Sequence, residues 1–587
     1  MPQWQEASFT TFDGLTLFYR YRQPQRQTKN TLLILHRGHE HSGRMMPSAD
    51  KLSEGDFWCF SFDLRGHGLS QGERAWAPDF NTWVKDLNSF AGHLNREFGI
   101  QAKHMLLIAN SVSSVMALSW VLDYGANIKG CILVAPAFSI KLYIPLALPA
   151  LRLLSRFSSH QFVTSYVKSR LLTRDKNAAK EYDSDPLITQ KIGVNVLTTL
   201  FATTKRCFKR LKDFETPVLV LSAGDDYIVH NKPHRYFIKH ISSRTKQHIV
   251  LEGFRHALFF EKHQDDVIKP CKAFINSAFS RKAKQLPAVI PKARPHTQAE
   301  HQALLDKGSK TKQFYYTSFR YLLTRVGRYS HGVSLGLQKG FDSGVILDYV
   351  YQNTPAGDNF IGKLIDKMFL NSIGWRGVRT RKKHLKSTLQ AVTQQVQQEG
   401  HRPIIFDVAS GAGRYLFEIQ QEEPYPVGLH LNDIDTNAIA LAKTLASGFN
   451  AQHCSFTCQD VFALKPTTTM SPRPNIVVIS GLFELYENNT YVYNVLANVL
   501  SLLEAGGYLV YTGQPWHPQI ELIGRLLNNR QGDRWVMRRR IQAEMDQLVT
   551  SVGFHKQHTE TDALGIFTVS CAQKATPHTN TPAKEKS

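Results

Sequence analysis

Met105-Leu106-Leu107-Ile108-Ala109-Asn110-Ser111-Val112-Ser113 runs five apolar residues into a tight polar turn, and Met116 to Val121 beyond it has a helix-like apolar pattern. A nucleophilic serine needs this frame of strand, sharp turn and helix. The strained turn lifts Oγ clear of the sheet and leaves the next backbone N–H free for an oxyanion. The flanking residues Ala109 and Ser113 are small but are not the usual glycines. On these residues alone, a surface serine at a strand end is the commoner reading.

The surroundings change that balance. After the run 218–222 comes Gly224-Asp225-Asp226-Tyr227-Ile228-Val229, and after 248–251 comes Gly253-Phe254-Arg255-His256. The chain order Ser, Asp, His, with the last two just past the carboxyl ends of strands, is that of an α/β-hydrolase. Further short β-branched runs at 31–35, 57–62, 105–109 and 130–135 alternate with helical patterns, as parallel α/β sheets require. A second set at 404–408, 427–431, 455–458, 475–480, 507–511 and 565–570 predicts another sheet of similar size. Between the two sets, 283–312 loses apolar periodicity and carries Pro287, Pro291 and Pro295, which predicts an extended linker. The expected domains are therefore 1–282 and 313–575, with 576–587 a disordered tail.

The first half resembles the monoglyceride lipase and lysophospholipase branch of the α/β-hydrolases. The resemblance spans nearly all of 8–275 and rests on His36-Arg37-Gly38-His39-Glu40-His41-Ser42-Gly43-Arg44 and Asp63-Leu64-Arg65-Gly66-His67-Gly68-Leu69-Ser70. It implies Ser111 as nucleophile, His256 as general base and Asp226 as the acid that orients it, with the backbone N–H groups of Gly38 and Val112 as oxyanion donors. Asp225 is a rival for the acid, although Asp226-Tyr227-Ile228-Val229 fits the family pattern better. Where the family has His-Gly, this chain has His36-Arg37, which puts a bulky cation at the oxyanion loop. His36, His39, His41 and Glu40 lack His-Glu-x-x-His spacing, and no metal is expected there.

About 80 residues separate the fourth and fifth runs of the first half, where this superfamily inserts a lid, here 139–212. That segment holds 14 Lys and Arg against 4 Asp and Glu and opens with a largely apolar stretch, Ile140 to Leu154. An ordinary lid with a solvated basic face fits these features. So does an interfacial segment that meets anionic lipid.

In the second half, Ile404-Ile405-Phe406-Asp407-Val408-Ala409-Ser410-Gly411-Ala412-Gly413 reads as a strand entering a glycine turn. Glycines let backbone approach a ligand, and the helix that follows offers unpaired N–H groups. A third glycine of Gly-x-Gly-x-x-Gly is absent, while Asp407, Asp433 and Asp460 follow or end three successive runs. That register resembles the Rossmann-like class I methyltransferases over about 395–575. It implies S-adenosyl-L-methionine bound by Asp407, Ser410, Gly411 and Gly413, its ribose on Asp433 and its adenine near Asp460. Acceptor-side candidates are Glu484, Tyr511, Trp516 and His517, on segments around the two central strands. An Asn-Pro-Pro-Tyr motif and a cysteine on these loops are both lacking, which argues against nucleic acid as partner. The basic runs Arg376–Lys386 and Arg538–Arg540 argue for it, although a solvated helix face is the commoner explanation.

Gln514-Pro515-Trp516-His517-Pro518-Gln519 and Trp535-Val536-Met537-Arg538-Arg539-Arg540, in this domain order, are similar to the bacterial bifunctional α/β-hydrolase/class I SAM-dependent methyltransferase family. The implied function is a lipase-like serine ester hydrolase fused to a methyltransferase in lipid metabolism. The alternatives are a peptidase fused to an RNA methyltransferase, or a binding module on a hydrolase scaffold.

Composition agrees with such an enzyme. The chain has 587 residues, 42% hydrophobic and 20% charged, which excludes wholesale disorder. Seven scattered cysteines without a CxxC pair suit a reducing compartment. The net charge of +23, without an apolar run of about 18 residues, predicts a cytoplasmic protein whose membrane contact is peripheral.

Overall fold

The computed structural model describes residues 3–157, 160–281, 290–464 and 471–575. The chain divides into two compact units, 1–285 and 286–587. The expected tail 576–587 and the first part of the expected linker, 283–289, lie outside the described residues.

In the first unit the strands are β1 (Gln5–Thr10), β2 (Thr16–Arg22), β3 (Thr31–Leu35), β4 (Trp58–Phe62), β5 (Met105–Asn110), β6 (Gly130–Val134), β7 (Phe162–Thr164), β8 (Lys191–Gly193), β9 (Val218–Ala223) and β10 (Lys246–Leu251). Eight of them form one sheet in the order β1-β2-β4-β3-β5-β6-β9-β10, parallel from β4 onward, which is an α/β-hydrolase sheet. Every apolar run read from the sequence falls on one of its strands. The hairpin β1–β2 escaped that reading because its residues alternate between wet and buried faces and mix charge with aromatic rings. β3, β5, β6 and β9 are buried throughout, as expected for strands covered by helices on both faces.

The lid region contains the helices Ala147–Phe157, Lys176–Ser184 and Val194–Phe208 and the two-stranded ribbon β7–β8. Part of its positive charge is not on the surface. Arg206 and Arg210 are buried and both pair with Asp123, which holds that carboxyl well below the usual range against the effect of its own burial.

The second unit carries β11 (Ile404–Asp407), β12 (Gly428–Asn432), β13 (Cys454–Thr457), β14 (Ile476–Ile479), β15 (Tyr508–Gly513), β16 (Phe554–Thr561) and β17 (Thr568–Lys574). Their order is β13-β12-β11-β14-β15-β17-β16, with β17 antiparallel to both neighbours. This is the class I methyltransferase sheet, parallel with a reversed terminal hairpin.

The linker expectation needs correction from residue 290 onward. Pro295 occupies the first turn of a helix, Pro295–Leu305, where its missing N–H costs nothing. That helix is fastened to the second unit: Thr297 Oγ1 accepts from Arg538 Nη2 at 3.2 Å, Glu300 pairs with Arg539, and Gln302 Nε2 donates to Glu487 at 2.7 Å. Before it, the Pro291 carbonyl accepts from Asn489 Nδ2 at 2.9 Å. Pro295, read as part of a spacer, therefore begins an integral helix. A fragment of residues 313–575 takes Glu300 from Arg539 and the Thr297 hydroxyl from Arg538, which keeps Glu544, and losing hydrogen-bond partners of buried polar groups costs about 1–3 kcal/mol. Urea unfolding should show fragment 286–587 more stable than 313–575 by that order; equal midpoints would contradict it.

Candidate active sites

Burial of β5 and the turn after it fix the first site. Ser111 takes φ 53° and ψ −113°, a conformation costly for a residue with a Cβ, and is itself buried. Two side chains hold the turn. Asn110 Nδ2 donates to the Leu35 carbonyl at 2.8 Å, and Ser113 Oγ donates to the His36 carbonyl at 2.6 Å. The serine at 113, where a glycine is usual, thus ties the turn to the loop that carries Gly38. His256 Nε2 lies 2.9 Å from Ser111 Oγ, and its Nδ1 lies 2.8 Å from Asp226 Oδ2. The other carboxylate oxygen of Asp226 accepts the Ile228 and Val229 amides at 2.7 and 2.9 Å. Burial alone would raise this carboxyl, but the His256 charge, its hydrogen bond and the two amides bring it below the usual range. Asp225, the rival, is half-buried and pairs with Arg174 instead.

Gly38 sits against Val112, where a Cβ would meet Val112 Cγ2 at 3.6 Å. The Arg37 guanidinium is engaged by Glu40 at 2.5 Å and lies over the Phe260 ring at 5.3 Å. Glu40 also takes Arg44 at 3.0 Å, His36 Nε2 accepts the Leu64 amide at 3.0 Å, and His41 Nε2 meets Asp185 at 2.8 Å, so these side chains brace the loop. A cavity of about 390 Å³ runs from Ser111, His256 and Gly38 into the lid, walled by Ile140, Leu151, Leu197 and Leu200 among others. Among the described residues that line it, none is Asp or Glu.

The second site lies at the carboxyl ends of β11, β12, β13 and β14. Gly411 and Gly413 have φ 55° and 65°, and a Cβ on Gly413 would lie 2.2 Å from Leu431 Cδ2, so the turn requires glycine there. Asp433, following β12, accepts the Gly411 amide at 2.8 Å through Oδ2 and the Asp435 amide at 2.9 Å through Oδ1. A cavity of about 90 Å³ is lined by Ser410, Gly411, Gly413, Asp433, Asp460 and the apolar Ile434, with others. It adjoins a second cavity of about 200 Å³, with which it shares Asp342, Leu347, Arg381, Gly481 and Leu485. The larger one is walled by Phe341, Phe369, Trp375, Trp535 and Phe567, and Glu484, Gln514 and His517 supply polar groups to its lining. Burial raises the Glu484 carboxyl, with Arg381 Nη1 3.6 Å away opposing it. His517 is pushed down to about 4 by burial and stays neutral at pH 7. Its Nδ1 accepts the Gln519 amide at 3.1 Å, so the ring proton resides on Nε2.

Comparison with known proteins agrees with both halves. Residues 271–574 match a family model described as "Putative methyltransferase", and residues 26–263 match one described as "Serine aminopeptidase, S33". An Escherichia coli (strain K12) relative, "Uncharacterized protein YnbC", is 37% identical over 573 residues, 97% of this chain and 98% of its own. The chain belongs to the bifunctional α/β-hydrolase/methyltransferase family. The first half is similar to the monoglyceride lipase of Rattus norvegicus, 27% identical over 255 residues, 42% of this chain and 82% of that one. It is also similar to Phospholipase YtpA of Bacillus subtilis, 24% identical over 246 residues, 41% of this chain and 93% of that one.

Within this family member, several residues read from the sequence sit away from the ligand space. Asp407 is fully buried, holds the Tyr415 hydroxyl and the Ala409 amide, and does not line the cavity; burial pushes its carboxyl up to about 7. It braces the glycine turn from behind. Tyr511 is fully buried on β15 with its hydroxyl 3.4 Å from Asp546, and Trp516 packs half-buried against the Phe341 and Trp375 cluster. Alternation along a strand turns Tyr511 away from the cavity that Glu484 and His517 line. Arg538, Arg539 and Arg540 are all buried, bonded to Glu544, Glu300 and Asn489, and offer no surface to nucleic acid. In Arg376–Lys386, Arg381 is buried and Lys382 and Lys386 pair with Glu418 and Glu422. The sequence did not reveal Gly344, whose Cβ would lie 2.8 Å from the Gly411 Cα, nor the aromatic walls of the larger cavity.

The Ser113 bond gives a direct check. Ser113→Ala leaves a buried carbonyl without its donor, at about 1–3 kcal/mol. The midpoint of thermal unfolding of the first unit should fall by several degrees; an unchanged value would show that the bond holds nothing.

Proposed function

We propose that the first unit is a serine hydrolase of carboxylic esters with apolar acyl chains, and that the second transfers methyl groups from S-adenosyl-L-methionine to a small, largely apolar acceptor. The two would serve lipid metabolism at the cytoplasmic face of the membrane. The observation that carries the first part is the unbroken Ser111–His256–Asp226 hydrogen-bond chain at the mouth of an apolar cavity.

In this reading Ser111 Oγ attacks the ester carbonyl as His256 Nε2 takes its proton, and Asp226 stabilises the imidazolium through Nδ1–H. The Gly38 and Val112 amides receive the oxyanion, each worth roughly 10²- to 10³-fold in rate. His256 returns its proton to the departing alkoxide, and water then releases the acid by the same route. The lid wall suits an acyl chain. An aminopeptidase would need a carboxylate for the substrate's free amine, which the lining of this cavity lacks. Exposed Ile144, Leu146 and Phe157, up to 79% accessible, support contact of the lid with a lipid surface. No helix among the described residues is long and apolar enough to cross a membrane.

For the second part, the residues fit the cofactor. The glycine turn would hold its amino-acid portion, Asp433 has lone pairs left for two ribose hydroxyls, and Asp460 with Ile434 would flank the adenine. When bound, the cofactor supplies an electrophilic methyl group. Glu484 would hold the acceptor's proton as it leaves, and His517 Nε2–H would orient an oxygen of the acceptor. The aromatic and aliphatic walls of the larger cavity support a small, largely apolar acceptor rather than a nucleic acid strand.

One experiment separates the two sites. Ser111→Ala should abolish hydrolysis of p-nitrophenyl butyrate and labelling by a fluorophosphonate while leaving cofactor binding intact. Asp433→Ala should weaken cofactor Kd about five- to hundred-fold, from the loss of roughly 1–3 kcal/mol of hydrogen bonding, and leave esterase activity intact. Undiminished labelling of the Ser111 variant, or an unchanged Kd for the Asp433 variant, would remove the corresponding assignment.

A further inference from the structure

Two helices of the second unit turn apolar residues toward water. In Lys310–Gly327 only the last residue is buried, while Phe314, Tyr315, Tyr321 and Leu322 are 77%, 59%, 61% and 54% exposed. From Lys310 to Tyr329 there are five cations (Lys310, Lys312, Arg320, Arg325, Arg328) and no Asp or Glu. In Phe360–Leu370, Phe360, Leu364 and Met368 recur every four residues, so they form one stripe along the helix; they are 83%, 51% and 69% exposed, with Ile361 at 64% beside them. Lys363 and Lys367 also lie on this helix, and its one acid, Asp366, is buried and receives the Gly332 amide at 2.8 Å.

The two helices approach each other at one end. Gly362 packs so closely on the end of the first that a Cβ there would lie 2.2 Å from the Tyr329 carbonyl oxygen. The same pair of helices gives Leu323 and Phe369 to the wall of the larger cavity. Glu521 takes Lys312 at 2.8 Å and Asp358 is exposed before Phe360, so the rim is mainly but not wholly basic; exposed apolar surface with such a rim marks a binding face. Its occupant must suit both features. A second copy of the chain would bring cations against cations. A nucleic acid would pair with the arginines and stack on the tyrosines, yet leave Leu322, Ile361, Leu364 and Met368 without partners. An anionic lipid surface takes all of them, with aliphatic groups among acyl chains, aromatic rings at headgroup level and cations on phosphates.

We propose that the helices Lys310–Gly327 and Phe360–Leu370 seat the second unit on an anionic lipid surface, so that an amphiphilic methyl acceptor enters the adjoining cavity from that surface. This rests on the methyltransferase reading of that cavity and is independent of contact by the hydrolase lid. The lid is therefore removed from the test by using full-length protein that carries Leu146→Ser, Leu153→Ser and Phe157→Ser, exposed lid residues that do not line the ester cavity, as the parent.

The parent is sedimented with phosphatidylcholine vesicles containing 30% phosphatidylglycerol, and with phosphatidylcholine alone. It should bind the anionic vesicles, weaken as salt rises, and bind the neutral ones at least tenfold less well. Adding Ile361→Ser, Leu364→Ser and Met368→Ser should lower anionic binding at least tenfold with S-adenosyl-L-methionine affinity unchanged, which excludes misfolding. Lys363→Glu with Lys367→Glu should act in the same direction without removing apolar surface. Four results would overturn the proposal: no vesicle binding by the parent, equal binding to neutral vesicles, equal binding after the substitutions, or binding of a 20-nucleotide RNA in place of vesicles. Cofactor affinity and esterase activity are read on the same samples, so failure of the seating is distinguishable from failure of either site.

Discussion

A parallel sheet gathers the carboxyl ends of its strands along one edge, and the loops there have no ladder to continue. Both units build their candidate sites on that constraint. Ser111 follows β5, Asp226 follows β9 and His256 follows β10; Gly411 follows β11, Asp433 follows β12 and Glu484 follows β14. The constraint alone places residues near one another without setting their geometry. In the first unit that is done by the strained turn at Ser111, stapled through Asn110 and Ser113 to the carbonyls of Leu35 and His36. In the second, Asp433 grips the Gly411 amide and so ties the ends of two strands together.

Legibility in the sequence followed locality. Strand runs and glycine turns were readable because the period of burial and the left-handed φ values at Gly411 and Gly413 are local requirements. The Ser, Asp and His residues were readable because strand ends mark loop starts. Residues whose role depends on distant partners were not. Arg538–Arg540 resembled a basic surface, but Glu300, Asn489 and Glu544 lie up to some 240 residues away and bury them. Pro295 resembled a spacer because its helix gains its partners from the far end of the unit. Asp407 and Tyr511 have suitable chemistry in suitable segments, yet each faces the packed side of its strand or turn. The aromatic wall formed by Phe341, Trp375 and Phe567 joins three remote segments and left no local pattern to find.

Charge shows the same division. A net charge of +23 counts every cation equally. Folding withdraws Arg206, Arg210, Arg381 and Arg538–Arg540 into the interior, where carboxylates and carbonyls hold most of their donors. Part of what remains outside lies where apolar groups are also exposed, on the lid and on the two helices beside the larger cavity of the second unit. That coincidence, more than the total, is what the proposed lipid interface rests on.

Hydrolysis of an ester exposes an acid and an alcohol, either of which is a nucleophile that a methyltransferase can use, and joining both sites in one chain raises the local concentration of such a product. The most direct measurement follows transfer of a trideuterated methyl group from labelled S-adenosyl-L-methionine, with the full-length protein supplied with total lipid extract and total RNA from the same cells. The label should appear in the lipid-extractable fraction, in a molecule that carries a hydroxyl or carboxyl group before transfer. Label confined to RNA would contradict the account.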